Sequence, residues 1–103
     1  MKYERTPRFD TDFKALKPEH RRAFVEVVPT FAAACDAYAA NPASFTWPAA
    51  LRVAPMKSAP GVWEMTWSFS SPDGRATFEF ARVGAEVRVR WRRIGDHSIY
   101  RTP

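Results

Sequence analysis

The sequence predicts an α+β domain: two N-terminal helices packed on one face of a mainly antiparallel sheet that closes with a C-terminal three-strand meander. Three observations carry this. Apolar residues recur at helical spacing up to about residue 40, and from Leu51 onward they alternate with a period of two. With 103 residues, 46% of them hydrophobic and 26% charged, the chain has the size of one compact domain, 1–103, around one core.

Taken in order, Thr6-Pro7 reads as a helix N-cap followed by proline at the first helical position, and Phe9, Phe13 and Leu16 then recur at i, i+4 and i+7. This predicts a short amphipathic helix over about 7 to 17. A second start at Pro18-Glu19 leads into Phe24, Val28, Phe31, Cys35 and Tyr38, which keep one face for four turns. Cys35 lies on that face and reads as core filler rather than as a reactive thiol. Pro29 is expected to kink this helix or to split it in two, and Asn41-Pro42 ends it.

Three strands follow. In 62 to 69, Trp63, Met65, Trp67 and Phe69 alternate with Glu64, Thr66 and Ser68. Pro72-Asp73-Gly74 supplies a hairpin turn. In 75 to 81, Ala76, Phe78 and Phe80 oppose Arg75, Thr77 and Glu79, and after a turn at Gly84, Val87, Val89 and Trp91 oppose Arg88, Arg90 and Arg92. Each strand therefore has one apolar face for the helices to cover and one polar face.

The 16 Lys and Arg outnumber the 11 Asp and Glu, giving a net charge of +5 and favouring a polyanionic partner, nucleic acid before anionic membrane. The excess is uneven: residues 1–74 carry nine basic and eight acidic groups, residues 75–103 seven and three. One cysteine makes no intramolecular disulfide, which suits a reducing cytoplasm, and one Cys with two His makes no zinc cluster. The N-terminus MKYERTPRFD lacks the apolar segment of a signal peptide, and the longest uncharged run, Ala37 to Leu51, is too short and too proline-broken to span a bilayer. A soluble protein is expected, with no cofactor, no metal and no membrane partner.

The polar sheet face collects Glu64, Thr66, Ser68, Arg75, Thr77, Glu79, Arg88, Arg90 and Arg92. Such a face is often charged simply for solubility, and its arginines can pair with Glu64 or Glu79. The preference for Arg over Lys points further, since the guanidinium fork matches phosphate oxygens. Beyond the last strand, Gly95 permits a turn that brings Asp96, His97, Ser98 and Tyr100 back over the sheet. His97 is suited to moving protons near neutral pH, whereas His20, between Glu19 and Arg21, reads as a surface residue.

The whole chain resembles the toxins of the RelE/ParE superfamily of bacterial type II toxin–antitoxin systems. The likeness lies in the order of parts and in LRVAPMKSAPGVWEMTW (51 to 67), DGRATFEF (73 to 80), VRWRRIG (89 to 95) and the closing DHSIY (96 to 100). It implies a further short strand at about 2 to 5. It also implies the activity of the ribonuclease branch: metal-independent cleavage of messenger RNA, usually on the ribosome, by activating a ribose 2′-hydroxyl against the adjacent phosphate. In that branch Arg75 matches an arginine on the scissile phosphate, and His97 and Tyr100 match the closing basic or histidine residue and tyrosine. Glu64 and Thr66 stand where some members carry two lysines. Either Glu64 is then the base with His97 as acid, or Lys57 replaces the missing cations. Lys57, Arg88, Arg90, Arg92 and Arg93 are the expected RNA contacts, and a cognate antitoxin, messenger RNA and the ribosome the implied partners. Two other readings stay open: a ParE-type inhibitor of DNA gyrase, and a non-catalytic RNA- or ribosome-binding module of the same fold.

Overall fold

The computed structural model describes residues 1–68 and 73–103. Its elements are β1 (Lys2–Arg5), α1 (Pro7–Ala15), α2 (Pro18–Ala40), β2 (Ala54–Pro55), β3 (Trp63–Ser68), β4 (Gly74–Val83) and β5 (Glu86–Gly95), with 3₁₀ turns at Ala49–Leu51 and His97–Arg101. The five strands form one sheet in the order β1-β5-β4-β3-β2. Among the described residues only β1 runs parallel to its neighbour, β5, and the other pairs are antiparallel. Phe69 and Pro72, expected in a strand and a turn, lie outside the described residues.

Local chemistry explains the helix bounds. The Thr6 hydroxyl accepts from the Phe9 amide at 3.1 Å, and Pro7 occupies the first position of α1. The chain stops being helical at Leu16 and Lys17, both extended, because Pro18 clashes with a helical predecessor; this ends α1 at Ala15, two residues before the expected bound. Pro18 then opens α2, which runs unbroken to Ala40 through Pro29. Of the two outcomes expected at Pro29, a kink or a split, the split does not occur. Pro29 and Val25, whose carbonyl loses its helical donor to the proline, are both exposed, so water can reach that carbonyl. By length and composition α2 is able to cross a membrane; here Phe24, Phe31, Ala34 and Cys35 are its buried residues.

The core lies between the helices and the apolar sheet face. Phe31 packs edge-on against Phe78 with ring centroids 5.0 Å apart and against Trp91 at 4.9 Å, while Phe9 and Phe24 extend the cluster. A second aromatic group, Tyr38, Phe45, Trp47, Trp63 and Phe80, fastens the long loop after α2 to the sheet.

Two bulges adjust the alternation. On β5, Thr77 pairs with Arg93 but Phe78 pairs with Trp91, so Arg92 is an extra residue. The insertion reverses parity after Trp91, turns Ile94 into the core at 2% exposure, and leaves Arg92 and Arg93 both associated with the polar side. On β3 the register slips at Trp67, whose ring lies over Gly74: a Cβ at Gly74 would come within 2.4 Å of it. Glycine is required there.

Candidate active site on the polar sheet face

The site is assembled at the end of the sheet where β3, β4 and the C-terminal turn meet. Pairing of Glu64 with Thr77 and of Thr66 with Arg75 makes Glu64 and Arg75 diagonal neighbours on the face opposite the core. The chain leaves β5 at Gly95, where a Cβ would come within 2.9 Å of the Ile99 side chain. Asp96 caps the next turn by accepting from the Ser98 amide at 2.8 Å, and the Ser98 hydroxyl, then that amide, hold its carboxyl below the usual carboxylate range. In a 3₁₀ turn side chains three apart eclipse, so His97 and Tyr100 come together, ring centroids 5.6 Å apart and inclined at 70°. Ile99 is buried at 3% exposure and pins the turn.

Tyr100 reaches Glu64 and Arg75. Its phenol is pushed up to about 12, first by burial and next by the Glu64 carboxylate, against the opposing pull of the Arg75 guanidinium. At neutral pH Tyr100 therefore keeps its proton and acts as a hydrogen-bond donor. The four residues singled out for chemistry, Glu64, Arg75, His97 and Tyr100, thus share one neighbourhood. His97 is exposed, while Arg75 is only 8% exposed. The Arg75 head is engaged by Asp73 at 3.2 Å and by the Gly74 carbonyl at 3.2 Å, so its charge works from beneath the site.

The expected RNA-binding arginines lie in an ion-pair network. Arg90 bridges Glu4 at 2.7 Å and Glu79 at 2.8 Å, Arg92 shares Glu79 at 3.1 Å, and Arg88 lies 3.3 Å from Glu86 and 3.7 Å from Glu4. Arg93 binds Asp12 of α1 at 2.6 Å. Lys57 is exposed in the turn before β3, away from that network. Sequence reading anticipated Glu79 as a partner but passed over Asp12, Asp73 and Glu4. Asp12 lies in the second turn of α1 and also accepts from the Ile94 amide at 3.3 Å, which no local pattern signals. His20, read as a surface residue, stands 5.8 Å from the Trp67 ring beside a cleft of about 250 Å³.

The arrangement, two helices on a mixed five-stranded sheet with a polar C-terminal turn, is shared with a solved toxin structure. In particular, the chain is similar in structure to a YoeB/ParE toxin from Agrobacterium tumefaciens, with a TM-score of 0.57 over 94% of this chain and 99% of that one. At 16% sequence identity this likeness is one of fold. No protein-family model and no curated protein matches the sequence.

Proposed function

We propose that this chain is the toxin of a type II toxin–antitoxin pair, working in the cytoplasm as a metal-independent endoribonuclease on messenger RNA at the ribosome. The observation that carries the reading is the convergence of Glu64, Arg75, Tyr100 and His97 on one patch of an otherwise ion-paired face. In the reaction, the Glu64 carboxylate takes the proton of a ribose 2′-hydroxyl, and that oxygen attacks the adjacent phosphorus. The bond to the 5′-oxygen breaks as protonated His97 gives that oxygen a proton. The products are a 2′,3′-cyclic phosphate and a 5′-hydroxyl. Arg75 supplies positive charge beneath the developing phosphorane, and neutral Tyr100 donates a hydrogen bond. The partner is a cognate antitoxin, acidic and partly disordered, that folds against the basic surface.

Expression of the chain alone is expected to arrest growth, and primer extension on a translated message, with chelator present, is expected to show new 5′ ends. Arrest without cleavage but with blocked DNA replication would replace the nuclease by a gyrase-directed inhibitor of the ParE kind. The ion-pair network favours that second reading, because it leaves Arg88, Arg90, Arg92 and Arg93 little free charge for RNA.

A further inference from the structure

As a ladder partner β1 ends at Arg5, opposite Trp91, so the part of β5 that leads into the His97–Tyr100 turn, Arg92 to Gly95, has no β1 residue beside it. The start of α1 takes over that edge. The Thr6 amide donates to the Trp91 carbonyl at 3.0 Å, the Thr6 hydroxyl donates to the Arg92 carbonyl at 2.9 Å, and the Asp12 carboxylate accepts from the Ile94 amide at 3.3 Å. The cap and the second turn of one helix thus satisfy main-chain groups that a longer β1 would otherwise have to pair.

The same Asp12 carboxylate forks onto the side chain of Arg93. Nε donates to Oδ2 at 2.6 Å and Nη2 to Oδ1 at 3.2 Å, a two-point contact that fixes direction as well as distance. Burial sets this pair apart from the arginine stripe. The Arg93 and Asp12 side chains are 13% and 14% exposed, against 29% to 38% for Arg88, Arg90 and Arg92. A pair so covered is little screened by salt, and Arg93 cannot turn to a phosphate without leaving a largely buried carboxylate uncompensated.

Its place in the chain decides what the pair can do. Arg93 and Ile94 follow the bulge at Arg92, where the ladder with β4 is itself interrupted, and only Gly95 and Asp96 separate them from His97. A strand end released there would carry the turn with it, and the His97 and Tyr100 rings would move off Glu64 and Arg75.

We propose that the Asp12–Arg93 pair is a brace that positions the His97–Tyr100 turn for reaction, and that Arg93 is a positioning residue rather than an RNA contact. The proposal rests on the endoribonuclease reading and goes beyond its reacting groups. Asp12 acts through the Ile94 amide and the Arg93 guanidinium and touches no reacting atom.

The test is a double-mutant cycle on the full chain: Asp12→Asn, which keeps an acceptor for the Ile94 amide and loses the charge, Arg93→Gln, and the two combined. Three properties are read: the rate of cutting at saturating translated message; the binding, over a range of salt, of a short fluorescent RNA, 2′-O-methylated so that it cannot be cut; and the nuclear Overhauser contact between the His97 and Tyr100 rings. Each single variant is expected to cut about 10- to 100-fold more slowly, to bind the RNA with nearly unchanged affinity and salt slope, and to weaken the ring contact. The double variant is expected to be no slower than the slower single, because the pair acts as a unit. A salt slope flatter by about 0.7 in Arg93→Gln makes Arg93 a phosphate contact and overturns the brace. Cutting at the wild-type rate by Asp12→Asn also overturns it, whatever its melting temperature, since a merely structural pair would lower stability alone. Should Asp12→Asn fail to fold by circular dichroism, Arg93→Lys keeps the charge and gives up the fork, and is expected to cut more slowly with RNA binding retained; the wild-type rate there overturns the brace. Cutting by the wild type with no loss in the variants sinks the brace alone, whereas no cutting by the wild type sinks the endoribonuclease reading and the brace with it.

Discussion

The two faces of the sheet are built from alternate residues of the same strands, yet they are held by different forces. On the helix side Phe31, Phe78, Met65 and Val89 are sealed from solvent by one another. On the other side Thr66, Arg75 and Thr77 are just as buried, but by hydrogen bonds, ion pairs and the returning C-terminal segment. Apolar packing is non-directional and collective, so it fixes the fold; polar contacts are directional and exchangeable, so they can be remade around a substrate. On the proposed reading stability belongs to one face and chemistry to the other, and substitutions test that division.

The largest effect belongs to the core. Phe31→Ala removes a fully buried ring between Phe78 and Trp91 and is expected to cost about 3–5 kcal/mol in urea unfolding. Across the sheet, His97→Ala at an exposed turn position is expected to leave the unfolding midpoint nearly unchanged while slowing cleavage by about 10² to 10⁴. Tyr100→Phe, which keeps the ring and loses the hydroxyl, should slow it less. A His97→Ala protein that unfolds as readily as Phe31→Ala would erase the distinction between the faces.

A smaller effect sharpens it. Glu79→Gln frees Arg90 and Arg92 from a shared carboxylate. Stability is expected to fall by no more than about 1 kcal/mol, while the salt slope for single-stranded RNA steepens by about 0.7 for each phosphate newly engaged. An unchanged slope would make the arginine stripe a solvated surface.

The smallest effect is the pH dependence, which both faces share. Tyr3 and Cys35 on the helix side and Tyr100 on the polar side are all pushed up to about 12, foremost by burial. An unfolded chain releases these protons at about 9 to 10, so between there and about 12 the folded state binds more protons. Stability from these groups is therefore complete below about pH 9 and is lost as pH rises toward 12. In Tyr100→Phe the alkaline fall in melting temperature should be shallower.

The apolar face was the legible one. Helical spacing and strict alternation identified α1, α2 and the three meander strands, because burying an apolar stripe leaves a periodic trace in the sequence. The register slip at Arg92 left none, since one inserted residue looks like continued alternation until Ile94 is seen in the core. The two-residue strand Ala54–Pro55 is too short to show a period. On the polar face, the residue types Glu64, Arg75, His97 and Tyr100 stood out chemically, but their meeting depends on long-range pairing. The grip of Thr77 and the arginines on the C-terminal residues falls on main-chain oxygens and the Thr102 hydroxyl, which composition does not reveal.

The chemical assignment turns most directly on Glu64→Gln, assayed by the rate at which a translated message is cut, alongside the titration of Tyr100. The substitution keeps the shape of the side chain and removes its charge. If the polar cluster is the active site with Glu64 as base, cleavage falls by about 10² to 10⁴ with melting and RNA binding retained. The Tyr100 phenol then also titrates nearer its ordinary value, having lost the carboxylate that helps raise it. A Glu64→Gln protein that cuts as fast as the wild type would contradict the assignment.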